Sequence, residues 1–377
     1  MTSAAGLIIK SAAILVLNSG SSSVKFRLFN TTENLSLLAD GRITGIGVRP
    51  EFFLNGRLLQ TLPHTIDHAQ ALQKIVQWVD HNDDNWRIEA VGHRIVHGGE
   101  KFTGPCLLTP AVLQELELLI PLAPLHQPHN LFAVKVLAEL YPELRQIGCF
   151  DTAFHAHHEP LFQHYALPKF LRDSGIRRYG FHGLSYEWIT RVLATQYPNS
   201  AQGRVVAAHL GNGSSLCAIK AGSSVDTTMG MSTLDGLPMG TRCGSIDPGA
   251  IFYMLRELDL DADAAERLLS CDSGLKGLSG VSNDVRDLLA SDSSEARFAL
   301  NYYAMMTAQQ VARMAVALGG LDTLVFTGGI GEHAAPVRQQ IIDHLNFLRP
   351  FEVLIVEANE ERMIAEHCLS IMQEKRK

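Results

Sequence analysis

No run of apolar residues in this 377-residue chain approaches the ~18 positions that a membrane-crossing helix needs. Cysteine is sparse. The six residues, Cys106, Cys149, Cys217, Cys243, Cys271 and Cys368, are scattered without a Cys-x-x-Cys pair, which predicts reduced thiols in a cytoplasmic protein rather than a disulfide framework. Basic charge is not in excess. Lys and Arg number 32 against 39 Asp and Glu, a net charge of −7, which argues against non-specific binding to nucleic acid or anionic membranes but leaves room for a local basic cleft. No low-complexity segment is present. The opening Met1–Ala13 carries Leu7-Ile8-Ile9 but no basic n-region, and reads as a loose extension rather than a signal peptide.

What is present is an ordinary globular composition, 46% hydrophobic and 19% charged. Two domains are expected at roughly 100–200 residues each, with the break just after Asp151. Strands alternate with helices throughout, which implies an α/β fold. Helices are expected over Ile66–Val79, over Ala111–Ile120 with Pro121 and Pro124 as stops, and over Asn130–Leu140. Further helices are expected over Leu184–Gln196, Glu295–Leu318, Pro336–Leu345 and Glu360–Met372. Short strands are expected at Ile147–Phe150, Thr323–Phe326 and Phe351–Val356.

Two similar turns stand out. Ile14–Leu17 leads into Asn18-Ser19-Gly20-Ser21-Ser22-Ser23 and a return strand from Lys25, and Val205–Leu210 leads into Gly211-Asn212-Gly213-Ser214-Ser215. Turns crowded with small residues expose backbone N–H groups and hydroxyls to an anion. The pair suggests a duplicated fold holding one polyphosphate from two sides. Gly20–Lys25 is not a Walker A loop, because no second Gly precedes Lys25 and Phe26 stands at the Ser/Thr position. Gly329–Ala334 matches G-x-G-x-x-A after a strand. Either a dinucleotide unit or a Gly-rich turn against an adenosine accounts for it.

Single residues are weaker signals. Arg94 in His93–Gly99 and Arg242 in Met239–Gly244 are either surface cations or clamps for a carboxylate or phosphoryl group. His126 and His182 are ambiguous between structure and chemistry. The run Asp151–His158 lacks the H-E-x-x-H spacing of a zinc site, and most of its histidines are expected to be solvated or capping. Asp151, ending a buried strand, is the stronger candidate, since a carboxylate there points to where Mg²⁺ and phosphates collect.

Taken together, Asn18–Lys25, His93–Gly99, Phe150–His155, Tyr179–Gly183, His209–Ser215, Met239–Pro248, Asp284–Arg286, Thr327–Glu332 and Asn359-Glu360-Glu361 resemble the motifs of the acetate kinase family, in its order and across nearly the whole chain. The resemblance implies a two-domain, duplicated actin-like ATPase fold with an interdomain nucleotide cleft, a homodimer, and reversible transfer of a phosphoryl group from ATP to acetate. It implies an acyl-substrate domain over 1–152, completed by a C-terminal helix 362–377, and a nucleotide-binding domain over 153–361. By the same resemblance Arg94 and Arg242 hold the acetate carboxylate and the transferring phosphoryl group. His182 stabilises the transition state, and Asp151 is the essential carboxylate. Asn18 and Glu360 serve a Mg²⁺ or Mn²⁺ site. Lys25, His209, Gly211, Asn212, Gly213, Asp284, Val285, Arg286, Gly329, Ile330 and Gly331 lie at the nucleotide. Val96, Leu125, Phe181 and Thr233 wall the acyl pocket.

Two positions depart from the family pattern: Tyr186 where many members carry a second His, and Thr233 where some carry Pro. A propionate or other short-chain acyl kinase, a non-catalytic ATP-binding switch of the actin or chaperone type, and a dinucleotide-dependent oxidoreductase are the competing readings.

Overall fold

A computed structural model describes residues 11–374 apart from 21, 33 and 82–85. Of the expected N-terminal extension, residues 1–10 lie outside the described residues. Ser11–Ala13 are not loose, because they open the first strand. Two compact units divide the chain. One runs to Ala153 and takes in the chain from Glu360 onward; the other is Phe154–Asn359. Glu360 and Glu361, placed by sequence in the second domain, therefore lie in the first unit.

The first unit is built on β1 (Ser11–Ser19), β2 (Ser23–Asn30), β3 (Leu37–Thr44), β4 (Glu51–Leu54), β5 (Arg57–Thr61), β6 (Trp86–Ile95), β7 (Cys106–Leu107) and β8 (Arg145–Phe150). Their order is β5-β4-β3-β2-β1-β6-β8-β7, with β1, β2 and β3 antiparallel neighbours and β1, β6 and β8 parallel. Ala13–Leu17 of β1 are all buried, as a strand covered on both faces must be. On one face Leu15 and Leu17 pack with Leu72, Ile75 and Val76 of the helix His68–His81 and Leu137 of the helix Gln127–Leu140. On the other lies the helix Glu360–Glu374. Gly92 of β6 permits that approach, since a Cβ there would stand 2.5 Å from Ile364 Cγ2 and 2.7 Å from Cys368 Sγ.

The second unit repeats the scheme with β9 (Arg204–Leu210), β10 (Ser214–Lys220), β11 (Ser223–Thr227), β12 (Thr323–Thr327) and β13 (Glu352–Ile355), in the order β11-β10-β9-β12-β13. Here too an antiparallel trio leads into three parallel strands. Alternate residues of β9 divide between the two faces. Val206, Ala208 and Leu210 pack under the helix Ser294–Leu318, while Val205 and Ala207 pack under Gly183–Gln196. The antiparallel β10 and β11 set this sheet apart from the mostly parallel sheet of a dinucleotide-binding domain, so the oxidoreductase reading loses its support.

Several helix ends follow local chemistry. Ser293 Oγ accepts from the Ala296 N–H at the start of Ser294–Leu318, and Gly319, left-handed at φ 73°, ends it. Two expected boundaries move by three residues. The helix expected from Asn130 begins at Gln127, because Pro128 fits a first turn whose N–H groups need no helical partner. The helix expected to reach Ile120 ends at Glu117, and Pro121 sits inside a separate 3₁₀ turn, Ile120–Leu122. All six cysteines are free thiols. Among the described residues no helix is long and apolar enough to cross a membrane.

Candidate active site

In the first unit the parallel strands bring their carboxyl ends together. Arg94 lies near the end of β6, and the Asp151 N–H, just past β8, donates to the Ile95 carbonyl at 3.0 Å. The Arg94 guanidinium meets Asp151 side-on, Nε to Oδ1 at 3.0 Å and Nη2 to Oδ2 at 2.8 Å. Its Nη1 turns to Glu360 Oε2 at 2.9 Å. Burial disfavours the charge on Arg94, but Asp151 and Glu360 outweigh it, and the net shift is upward. Burial pushes the Asp151 carboxyl up against the opposing pull of Arg94. Asn18, next to last in β1, lies opposite Lys25 of β2, so Lys25 belongs to this unit.

Val96, two residues past Arg94, is buried, and its N–H donates to Asn130 Oδ1 at 3.0 Å; Leu125 is about half exposed at 49%. His126 stands at the N-cap of Gln127–Leu140 without a side-chain capping bond.

In the second unit the β9–β10 turn is the focus. His182 takes a left-handed backbone, φ 58°, at the start of the helix Gly183–Gln196. Its ring stacks on His209 with centroids 4.3 Å apart, and its Nδ1 lies 2.9 Å from Ser215 Oγ. A Cβ on Gly213 would stand 3.3 Å from His182 Nε2 and 3.8 Å from Arg242 Nη1, so both side chains come over this glycine. Arg242 Nη1 donates to the Thr233 carbonyl at 3.2 Å, and burial lowers its pKa. Asn212 Oδ1 accepts from Asn283 Nδ2 at 3.2 Å.

Beside this turn is a cavity of about 420 Å³, in the range of a small-ligand site. Of the residues expected at the nucleotide, Gly211, Asn212, Asp284, Val285, Arg286, Gly329 and Ile330 line it. Gly331 does not. It is buried in the helix Gly328–His333, with its carbonyl accepting from Arg338. Asn283 and Leu289 line the cavity as well and were not singled out from sequence; His333 and Ala334, from the Gly329–Ala334 motif, also line it. Leu289 was findable, since it follows Val285 by four residues on one helix face.

Phe181 is 1% exposed, and its carbonyl accepts from His155 Nε2 at 3.0 Å. His155 and His158 are not solvated, contrary to expectation. Both are buried around Ser224 Oγ, at 2.8 and 2.6 Å, and burial lowers their pKa values to about 4 and about 3. His157 alone of the three is exposed. Among the described residues no group of three or more His, Cys, Asp or Glu could hold a metal ion.

The profile of the Acetokinase family matches residues 13–350. The chain belongs to that family. As a member it is a kinase, a phosphotransferase enzyme. It is similar to the acetate kinase of Rhodopseudomonas palustris strain TIE-1, 46% identical over 347 residues that cover 90% of this chain and 87% of the relative. Its fold matches the crystal structure of a propionate kinase from Francisella tularensis with a TM-score of 0.90 and 34% identity, covering 94% of this chain and 98% of that one. It also matches the acetate kinase of Porphyromonas gingivalis with a TM-score of 0.87, again at 34% identity, over 96% and 100%. Family membership removes the non-catalytic ATP-binding switch from consideration.

Proposed function

We propose that this acetokinase-family enzyme transfers the γ-phosphoryl group of ATP reversibly to acetate, giving acetyl phosphate and ADP. One observation carries the reading. The turn Gly211–Gly213 lines a nucleotide-sized cavity with its first two residues and has His182 Nε2 and Arg242 Nη1 against its third. A polyphosphate following that turn from the cavity meets two donors where its terminal group ends.

The acceptor needs no base, because a carboxylic acid titrating near pH ~4–5 is already ionised at neutral pH. The obstacle is repulsion between two anions, about 4 kcal/mol at 4 Å for an effective dielectric of ~20. Arg242 and His182 stabilise the equatorial oxygens of an in-line transfer, and Arg94 holds the acyl carboxylate. Asp151 then serves to position rather than to abstract a proton. Asn18, Asp151 and Glu360 offer oxygen donors alone, which suits Mg²⁺ or Mn²⁺. Few protein ligands fit such an ion, which is commonly held by one or two carboxylates and the substrate's phosphates. When bound, it would neutralise phosphate charge. Val96, Leu125, Phe181 and Thr233 are proposed to wall the acyl methyl group, and His209, Lys25 and Gly331 to serve the nucleotide. The first unit would thus be the acyl-substrate domain and the second the nucleotide-binding domain.

A propionate preference is the second reading, favoured by the likeness to the Francisella propionate kinase and by Thr233. One methylene changes pocket binding by only ~1–3 kcal/mol. A hydroxamate assay for acyl phosphate, run with ATP, Mg²⁺ and acetate, propionate or butyrate, tests both. No acyl phosphate from any of the three would overturn the function. We further propose a cytoplasmic homodimer. The helix Pro248–Glu257 buries none of its residues and leaves Phe252 and Tyr253 53% and 60% exposed, an apolar face that a second copy would cover. A monomeric mass by light scattering would count against it.

A further inference from the structure

Tyr186 is one of the two positions that depart from the pattern of the family the chain resembles, and it is fully buried. It lies one helical turn beyond His182, its N–H donating to the His182 carbonyl at 3.1 Å. Both side chains turn toward β10. They converge on one atom. Tyr186 Oη is 2.5 Å from Ser215 Oγ, and His182 Nδ1 is 2.9 Å from it. Ser215 is itself fully buried, on β10.

A serine hydroxyl has one proton and two lone pairs. Of the two hydroxyls, the phenol is the stronger proton donor, so Tyr186 donates to Ser215 and leaves the serine proton for His182 Nδ1. That order of donors makes Nδ1 an acceptor and puts the ring proton on Nε2, the nitrogen that stands over Gly213 beside Arg242 Nη1. The His209 ring, held through Nδ1 to Ser185 Oγ at 2.8 Å, stacks on His182 and holds the plane of its imidazole.

We propose that Tyr186 is a positioning residue. Through Ser215 it fixes His182 as the Nε2–H tautomer, aimed at the phosphoryl group. The inference rests on the proposed role of His182 in phosphoryl transfer, but its first test is independent of activity. Histidine labelled with ¹⁵N, with the His182 signals assigned by their loss in His182→Ala, reports which ring nitrogen carries the proton. In the parent enzyme at neutral pH, Nε2 is expected to be the pyrrole-type nitrogen. In Tyr186→Phe and in the smaller change Ser215→Ala, the signal is expected to move to a mixture of both tautomers. Turnover is expected to fall by about tenfold in each, the scale of one lost hydrogen bond, with the KM for ATP unchanged.

If Tyr186 acts through Ser215, the double variant is no slower than Ser215→Ala alone, whereas independent packing effects would multiply. A proton on Nδ1 in the parent, unchanged tautomers in both folded variants, or multiplicative losses would each overturn the proposal. Shifted tautomers with undiminished turnover would keep the relay and remove His182 from the chemistry. Should Tyr186→Phe fail to fold, Ser215→Ala read by ¹⁵N shift and turnover decides the matter.

Discussion

Arg94 and Asp151, 57 positions apart in sequence, meet at the ends of two adjacent parallel strands in a side-on pair of hydrogen bonds of 3.0 and 2.8 Å. The third edge of the same guanidinium engages Glu360. Side-chain exposure is 16% for Arg94 and 3% for Asp151, so neither charge is shared with bulk water to any extent.

Arg94→Ala would strip the buried Asp151 carboxylate, and the partly buried Glu360 beside it, of this guanidinium. Stability is expected to fall by roughly 3–5 kcal/mol, read from urea midpoints, because removing one partner strands the other. Turnover is expected to fall at least about a hundredfold in both Arg94→Ala and Arg242→Ala, the scale of a lost preorganised donor. Arg94→Lys keeps the charge but not the fork, so it should restore little. An unchanged urea midpoint would disprove the ion pair, and near-normal turnover would disprove the clamp.

Chelation with EDTA is expected to abolish turnover, and added Mg²⁺ or Mn²⁺ to restore it. Glu360→Gln should raise the metal concentration needed for half-maximal rate, and Asp151→Asn should abolish activity. A Glu360→Gln enzyme with the parent's Mg²⁺ titration would remove that carboxylate from the metal's surroundings. An Asp151→Asn enzyme with a normal Mg²⁺ response and only a shifted pH optimum would make Asp151 a base instead.

Two adjacent glycines should respond in opposite ways. A Cβ on Gly329 meets nothing within 4 Å and enters the cavity, so Gly329→Leu is expected to leave the melting temperature unchanged and weaken ADP binding at least about tenfold. Gly328 has φ 78°, and a Cβ there would stand 2.8 Å from the Leu210 carbonyl oxygen. Gly328→Ala is therefore expected to lose about 1–3 kcal/mol of stability. Calorimetry on both variants checks the contrast, and unaltered ADP affinity in Gly329→Leu would move the nucleotide elsewhere.

Stability should fall in mild acid. Burial lowers His93, His97 and His155 from 6.5 to about 4, and His158 to about 3. Between pH 6.5 and 4 the unfolded chain binds protons that the folded one refuses. Stability is thus fully present above pH 6.5 and lost as pH falls toward 4, by roughly 3 kcal/mol per ring at the lower end. Melting temperatures measured from pH 7.5 to 5 are expected to drop steadily; a flat profile would show that these rings are protonated in place.

Much of the site was readable in the chain because its signals are local. A Gly/Ser turn after an apolar run and the helical period over Glu295–Leu318 depend on neighbours a few residues away. Other features were local and still missed. Asn55-Gly56, with φ values of 46° and 78°, is the tight turn joining β4 to β5, and Asn-Gly between apolar stretches is a strong hairpin signal. The burial of His155 and His158 carried no such signal, because it depends on Ser224, more than 60 residues away.

The sequence by itself determined the alternation of strands and helices and which residue types gather at the two turns, since each is a matter of period or short spacing, and its motifs, in their order, carried the resemblance to the family. Only the tertiary structure decided that Arg94 spends its guanidinium on Asp151 and Glu360, that Gly331 faces away from the cavity its neighbours line, and that Tyr186 reaches His182 through Ser215. Those relations are set by sheet register and by which face of a helix is buried. They join residues that no local pattern links.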